Sequence, residues 1–303
     1  MKSILRWGAA LGILGSAIMG STLTGNLRAL ALPQEQILQK LGSVPVFTIT
    51  DSQGAPLVAT PPQNAQNQNQ QAQSPVAGVF ISQKDAQAFV NNLKKTNPQL
   101  GNTVRVVPVP LGEVYKLEQA NQNQPNSLDI AYIPAKQQFD AALTLLRQGG
   151  SNSELRKACE QNKRQLEDCV GTPLFVARAG EEKGYLTMKI NRPQANNQQA
   201  EVEVIPFYFN KEELQGMLDR FKKQQPELAS TVDIQVLNLE GMLEILKTRN
   251  DEGVQQIVLV PPQESIQYVR SLQQPAAGGQ NQAQPQRPAP QQAAPQQAAP
   301  QRR

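Results

Sequence analysis

Along residues 206–262 the spacing of apolar side chains switches between two periods. Asn210, followed three residues later by Glu213, makes a capping box, and Leu214, Met217, Leu218 and Phe221 then fall on one face of a helix that Pro226 closes. Val232, Ile234 and Val236 alternate with polar residues as a half-buried strand does. A shorter helix runs from Leu239 to Lys247, and Ile257–Val260 reads as a buried strand. With the apolar strand Pro206–Phe209 in front, the stretch predicts a β-α-β-α-β unit.

The same unit stands 128 residues earlier. Ser82 and Asp85 occupy the capping-box positions, and Ala86, Phe89, Val90 and Leu93 form the apolar face. Lys94-Lys95 and Pro98 match Lys222-Lys223 and Pro226, and the register runs unbroken from Pro45 against Pro173 to Val104 against Val232. One residue then slips, so that Ile133-Pro134 matches Val260-Pro261. Self-similarity of this extent marks an internal duplication.

Each copy begins with a short helix, PQEQILQKL from Pro33 and NSELRKACEQNKRQLEDC capped at Ser153. A strand pair follows, turning at Asp51–Gly54 in one copy and Gly180–Gly184 in the other. Each ends with a helix: Phe139, Ala142, Leu143 and Leu146 face inward before Gly149-Gly150, and PQESIQYVRSL ends near Leu272. The expected fold is α+β, two pseudo-symmetric repeats, each a small sheet with packed helices, over 32–150 and 151–272. Polar inserts near 61–75 and 191–199 have too few apolar side chains to offset the entropy of ordering and read as mobile loops. The Pro/Gln/Ala stretch 273–303 reads as disordered for the same reason.

The N-terminus changes the picture of where the chain works. Lys2 and Arg6 precede WGAALGILGSAIMG, and Ala29-Leu30-Ala31 makes a small-x-small site, so residues 1–31 read as a secretory signal peptide cut between Ala31 and Leu32. An uncleaved anchor is the alternative, but the apolar run is about 14 residues where a spanning helix needs about 20. Export makes a disulfide between Cys159 and Cys169 an open question. On one unbroken helix their α-carbons would lie about 15 Å apart, beyond the roughly 7 Å a disulfide tolerates, so the bridge requires a break near Asn162 or a Cys169 that folds back.

Charge and composition remove several functions. Six of the 29 basic residues lie in the leader and tail, leaving 23 against 25 acidic ones, which is a poor surface for nucleic acid. The chain has no histidine and only two cysteines, so Ser-His and Cys-His pairs and a four-thiolate metal site are excluded. No phosphate-cradling Gly-rich Lys-Ser/Thr loop appears. Neither a cofactor nor an enzymatic activity is expected.

The segments LGSVPVFTITDSQGAPL, GVFISQKDAQAF, VRVVPVPLGEVY, GTPLFVA and VEVIPFYFNKEEL resemble the twenty-two-kilodalton Tic family of the chloroplast inner-envelope translocon, in its cyanobacterial form, over residues 33–272. The resemblance implies a two-lobed protein with apolar pockets on its sides and no catalytic residue. It also implies a place in the periplasm or thylakoid lumen, peripheral to the membrane at most, and a chaperone-like part in outer-membrane biogenesis. Implied partners are unfolded or transiting outer-membrane proteins and an outer-membrane insertase or import pore, the latter also the dock of an alternative, a structural adaptor without general client binding. Candidate pocket residues are Phe80, Phe89, Val114, Phe207, Phe209, Met217, Leu218, Leu239 and Met242, with flexible thioethers suited to promiscuous contact; filling the core between helix and sheet is the competing use of the same side chains.

Overall fold

The computed structural model describes residues 11–13, 31–60, 74–122, 127–180, 182–193 and 199–273. Two mixed sheets use one connection twice. In the first, β2 (Pro45–Thr50) pairs antiparallel with β4 (Val76–Phe80) and β5 (Arg105–Pro110), β3 (Val58–Ala59) adds to β4, and β6 (Asp129–Ile133) runs parallel to β4. In the second, β7 (Pro173–Ala179) pairs antiparallel with β9 (Gln199–Tyr208) and β10 (Asp233–Asn238), β8 (Gly184–Pro193) joins β7 and β9, and β11 (Ile257–Val260) runs parallel to β9. The registers coincide. Phe47 faces Phe80 in one sheet and Phe175 faces Tyr208 in the other, while Pro45↔Pro110 reappears as Pro173↔Asn238. The α+β duplication is therefore present in the ladder itself.

Capping chemistry places the helices identically. The Ser82 hydroxyl accepts the N–H of Asp85 at 3.3 Å to start α2 (Gln83–Thr96), and the Asn210 amide oxygen accepts that of Glu213 at 3.0 Å to start α8 (Lys211–Gln224). The two carboxylates then serve the helices that close each repeat. Asp85 accepts the N–H of Lys136 at 3.0 Å, opening α5 (Lys136–Gln148), and Glu213 accepts that of Gln263 at 2.9 Å, opening α11 (Gln263–Gln273).

Side chains alternate across each strand, so each sheet has two faces to cover. The inner faces, with Val46, Val79 and Ile81 on one sheet and Leu174, Val176, Ile205 and Phe207 on the other, meet in one central core. Helices α1 (Gln34–Gly42), α4 (Leu111–Asn121) and α9 (Leu239–Thr248) fill it. The outer faces carry Phe47, Ile49 and Phe80 beneath α2, and Phe175, Ala177 and Tyr208 beneath α8. The closing helices are exchanged: α5 gives Ala142, Leu143 and Leu146 to the second sheet, and α11 sets Tyr268 edge-on to Phe47 of the first, ring centres 5.7 Å apart. The cores therefore interlock across the division expected at Gly149-Gly150.

The structure decides the question left open at the cysteines and shortens one polar insert. The helix over 153–168 is broken into α6 (Ser153–Gln161) and α7 (Leu166–Val170), because Lys163 takes a left-handed φ of 54° just after Asn162. That fold-back brings the α-carbons of Cys159 and Cys169 to 6.0 Å, and the two are disulfide-bonded. The second polar insert is shorter than 191–199: Asn191–Pro193 and Gln199–Glu201 pair across the β8–β9 hairpin, since ladder hydrogen bonds extend strands that bury few side chains. Leu11–Ile13, inside the expected leader, form β1, antiparallel to β8, and Leu32 is buried in the central core. The rest of the leader before Ala31, most of the first insert and the tail from residue 274 lie outside the described residues.

Candidate functional site

The duplication allows the two outer faces to be compared position by position. On the second, Leu214, Met217, Leu218 and Phe221 of α8 are all buried, and α5 adds Ala142, Leu143 and Leu146. On the first, the α2 equivalents are Ala86, Phe89, Val90 and Leu93, and only Ala86 and Val90 are buried. Phe89 is 44% exposed, its ring 5.7 Å from that of Phe80 beneath it. Among its described side chains α11 buries only Ser265, at the position that Gln138 holds in α5.

That last exchange is chemical as well as steric. The Gln138 amide donates to Glu212 and accepts the Lys211 N–H, both at 2.8 Å, so α5 is stitched to the start of α8. Ser265 is too short to do the same, and its buried hydroxyl has no hydrogen-bond partner among the described residues. At this end α11 and α2 are joined by the Lys84–Glu264 ion pair, which raises the Lys84 ammonium pKa through that hydrogen bond. On the sealed side burial holds the Tyr208 phenol up at about 12 and lifts Glu213 above the ordinary carboxylate range.

The open face is therefore an apolar trough over the first sheet, walled by α2 and α11. Leu57, Leu93, Val106, Ile133 and Tyr268 line it half-buried over Phe47 and Phe80. Among the described residues, the exposed large apolar side chains Phe89, Leu100 and Leu272 belong to α2, α3 (Pro98–Gly101) and α11, and none belongs to α5 or α8. The arrangement suits contact with apolar groups. Among the described residues no His/Cys/Asp/Glu group is placed to hold a metal ion.

Of the nine side chains singled out from sequence, the structure brings only Phe80 and Phe89 to this trough. Val114, Phe207, Phe209, Leu239 and Met242 lie in the core between the sheets, and Met217 and Leu218 lie under α8, with Met242 1% and Met217 4% exposed. They fill the core because α1, α4 and α9 pack between the inner faces of the two sheets and α8 lies on the outer face of the second. Tyr268, Leu57, Val106 and Ile133 were not marked by periodicity. The signal that finds them is the mismatch within the duplication: Ala86 against Leu214 and Ser265 against Gln138 each put a smaller side chain at a sealing position.

The comparisons with known proteins agree with this fold. A model of the Tic22-like family matches residues 1–271. Protein TIC 22, chloroplastic, of Pisum sativum is 21% identical over 249 residues, 82% of this chain and 81% of its own length. Among solved structures, Anabaena Tic22, described as a protein of protein transport, superposes with a TM-score of 0.63 at 31% identity, covering 80% of this chain and 99% of the solved one. Tic22 from Plasmodium falciparum shares the fold with a TM-score of 0.53 at 20% identity, over 78% and 97% of the two chains.

Proposed function

Because the chain belongs to the Tic22-like family, we propose that it is an exported, non-enzymatic protein-transport factor. In this reading it holds apolar stretches of transiting outer-membrane polypeptides in the trough between α2 and α11, without nucleotide. The observation that carries the reading is the asymmetry of the two outer faces: one sheet is sealed by two helices, while its duplicate leaves Phe89 and its neighbours open to solvent. Contiguous exposed apolar surface is uncommon on proteins with no partner for it. Export, with the periplasm preferred over the thylakoid lumen, rests on the signal-peptide pattern of residues 1–31. It is compatible with the absence, among the described residues, of a helix long and apolar enough to cross a membrane.

A chemically unfolded outer-membrane porin supplies the test. At stoichiometric amounts and without nucleotide, the unaltered chain is expected to suppress its aggregation. Phe89→Asp is expected to lose most of that protection while still unfolding cooperatively, with only a modest drop in midpoint, since the side chain is 44% exposed. Failure of the unaltered chain to protect the porin, together with its recovery on an outer-membrane insertase, would overturn the reading in favour of a structural adaptor.

A further inference from the structure

The geometry points to a second contact for such clients, the outer edge of β8 at Leu186–Met188, where an extended apolar segment of the transported polypeptide adds as a strand; this rests on the client-holding reading above. Sheet edges present unpaired N–H and C=O groups and are normally covered. Elsewhere on the second sheet folded residues of this chain provide the cover. The Asn152 amide donates to the Ile234 carbonyl at 3.0 Å and accepts the Val236 N–H at 2.7 Å, capping the free side of β10. The Lys40 ammonium takes the first carbonyl of β11, that of Ile257, at 2.8 Å.

β8 is covered differently. Met188 pairs with Val204 of β9 on one side and with Leu11 of β1 on the other, and the β1 register continues through Gly12↔Thr187 to Ile13↔Leu186. β1 comes from WGAALGILGSAIMG, the apolar run of the expected leader. The edge thus has a seated occupant, and that occupant is an extended piece of an apolar export sequence. Below it, Met188 and its cross-strand partner Val204 are both buried, yet neither joins any of the three core clusters. They form a small apolar floor at the place where the strand is added.

A ladder of main-chain hydrogen bonds accepts many sequences, and a floor containing a pliable thioether selects for apolar ones. Cleavage between Ala31 and Leu32 would separate β1 from the chain and free the edge and its floor together. The leader is then the first occupant of a site that afterwards takes extended apolar segments of clients.

Hydrogen exchange on the full chain and on a Leu11→Asp/Ile13→Asp variant tests the site. Amides within residues 184–190 are expected to exchange roughly tenfold faster or more in the variant, with β10 and β11 unchanged. Adding the synthetic peptide WGAALGILGSAIMG should restore protection there, and a photoreactive group at its Gly12 position should crosslink to residues 185–189. Equal exchange in the two chains, or a peptide that crosslinks to α2 or α11 instead, would overturn the edge site. The porin assay separates the two claims: protection of porin without peptide binding at β8 removes the edge site and keeps the trough, whereas peptide binding at β8 without porin protection removes the client-holding reading on which both depend.

Discussion

The two outer faces are copies of one design, and they differ in how completely they are filled. α8 lays four large apolar side chains on its sheet, and α5 completes the seal through Ala142, Leu143, Leu146 and the Gln138 link. α2 matches α8 in length and capping, and α11 stands where α5 does, yet Ala86 and Ser265 occupy the sealing positions. An amphipathic pattern therefore tells which side of a helix meets the sheet. Whether a second helix closes the remaining gap depends on side-chain volume at a few positions, and here those positions divide a structural face from a receptive one.

If the faces differ as described, equivalent truncations should have unequal costs. Phe221→Ala, in the sealed face, is expected to lower stability by about 3–5 kcal/mol, because a fully buried ring leaves a cavity. Leu93→Ala at the same place in α2 should lose about 1 kcal/mol, because its side chain is already half in water. Urea unfolding measures both, and equal losses would break the distinction.

A second pair sharpens it with opposite signs. Gln138→Ala removes two hydrogen bonds, one to a carboxylate, and should destabilise by about 2 kcal/mol. Ser265→Ala removes a buried hydroxyl without a partner and should leave stability equal or up to about 1 kcal/mol higher. Thermal unfolding of the two variants decides it.

The central layer belongs to both repeats, so perturbing it should move both faces together. Lys40 of α1 donates to Gln255 and Ile257 of the second repeat at 2.7 and 2.8 Å. Burial, with Arg192 adding, lowers its pKa from 10.5 to about 8. Between these values the unfolded chain binds more protons than the folded one, so stability from this group rises from pH 8 to 10.5 and is flat below 8. Discounted for its partial exposure, the rise is about 1 kcal/mol. It should be absent from Lys40→Met when the two chains' unfolding free energies are compared across that range.

Much of this architecture is legible in the sequence. Strand alternation, the Ser82 and Asn210 caps and the 128-residue register place the elements, because each is a local rule or a repetition of one. The exchange of α5 and α11 was not legible: periodicity shows that Leu143 and Leu146 face a core, but not whose core. The same limit misdirected the choice of Met217 and Met242, whose apolar, flexible side chains fit a groove and a core equally well until the layers on both sides of each strand are known. Lys163 shows a third kind of limit, since a helix break at a residue with φ 54° has no composition signal.

The asymmetry of the outer faces is met head-on by photocrosslinking. A benzoylphenylalanine is placed at Phe89 on the open face and, in a separate chain, at the exposed Lys223 of α8. Unfolded porin should crosslink from position 89 and not from 223. Crosslinking of equal strength from both, or from 223 alone, would mean that the unsealed sheet is not where polypeptides are held.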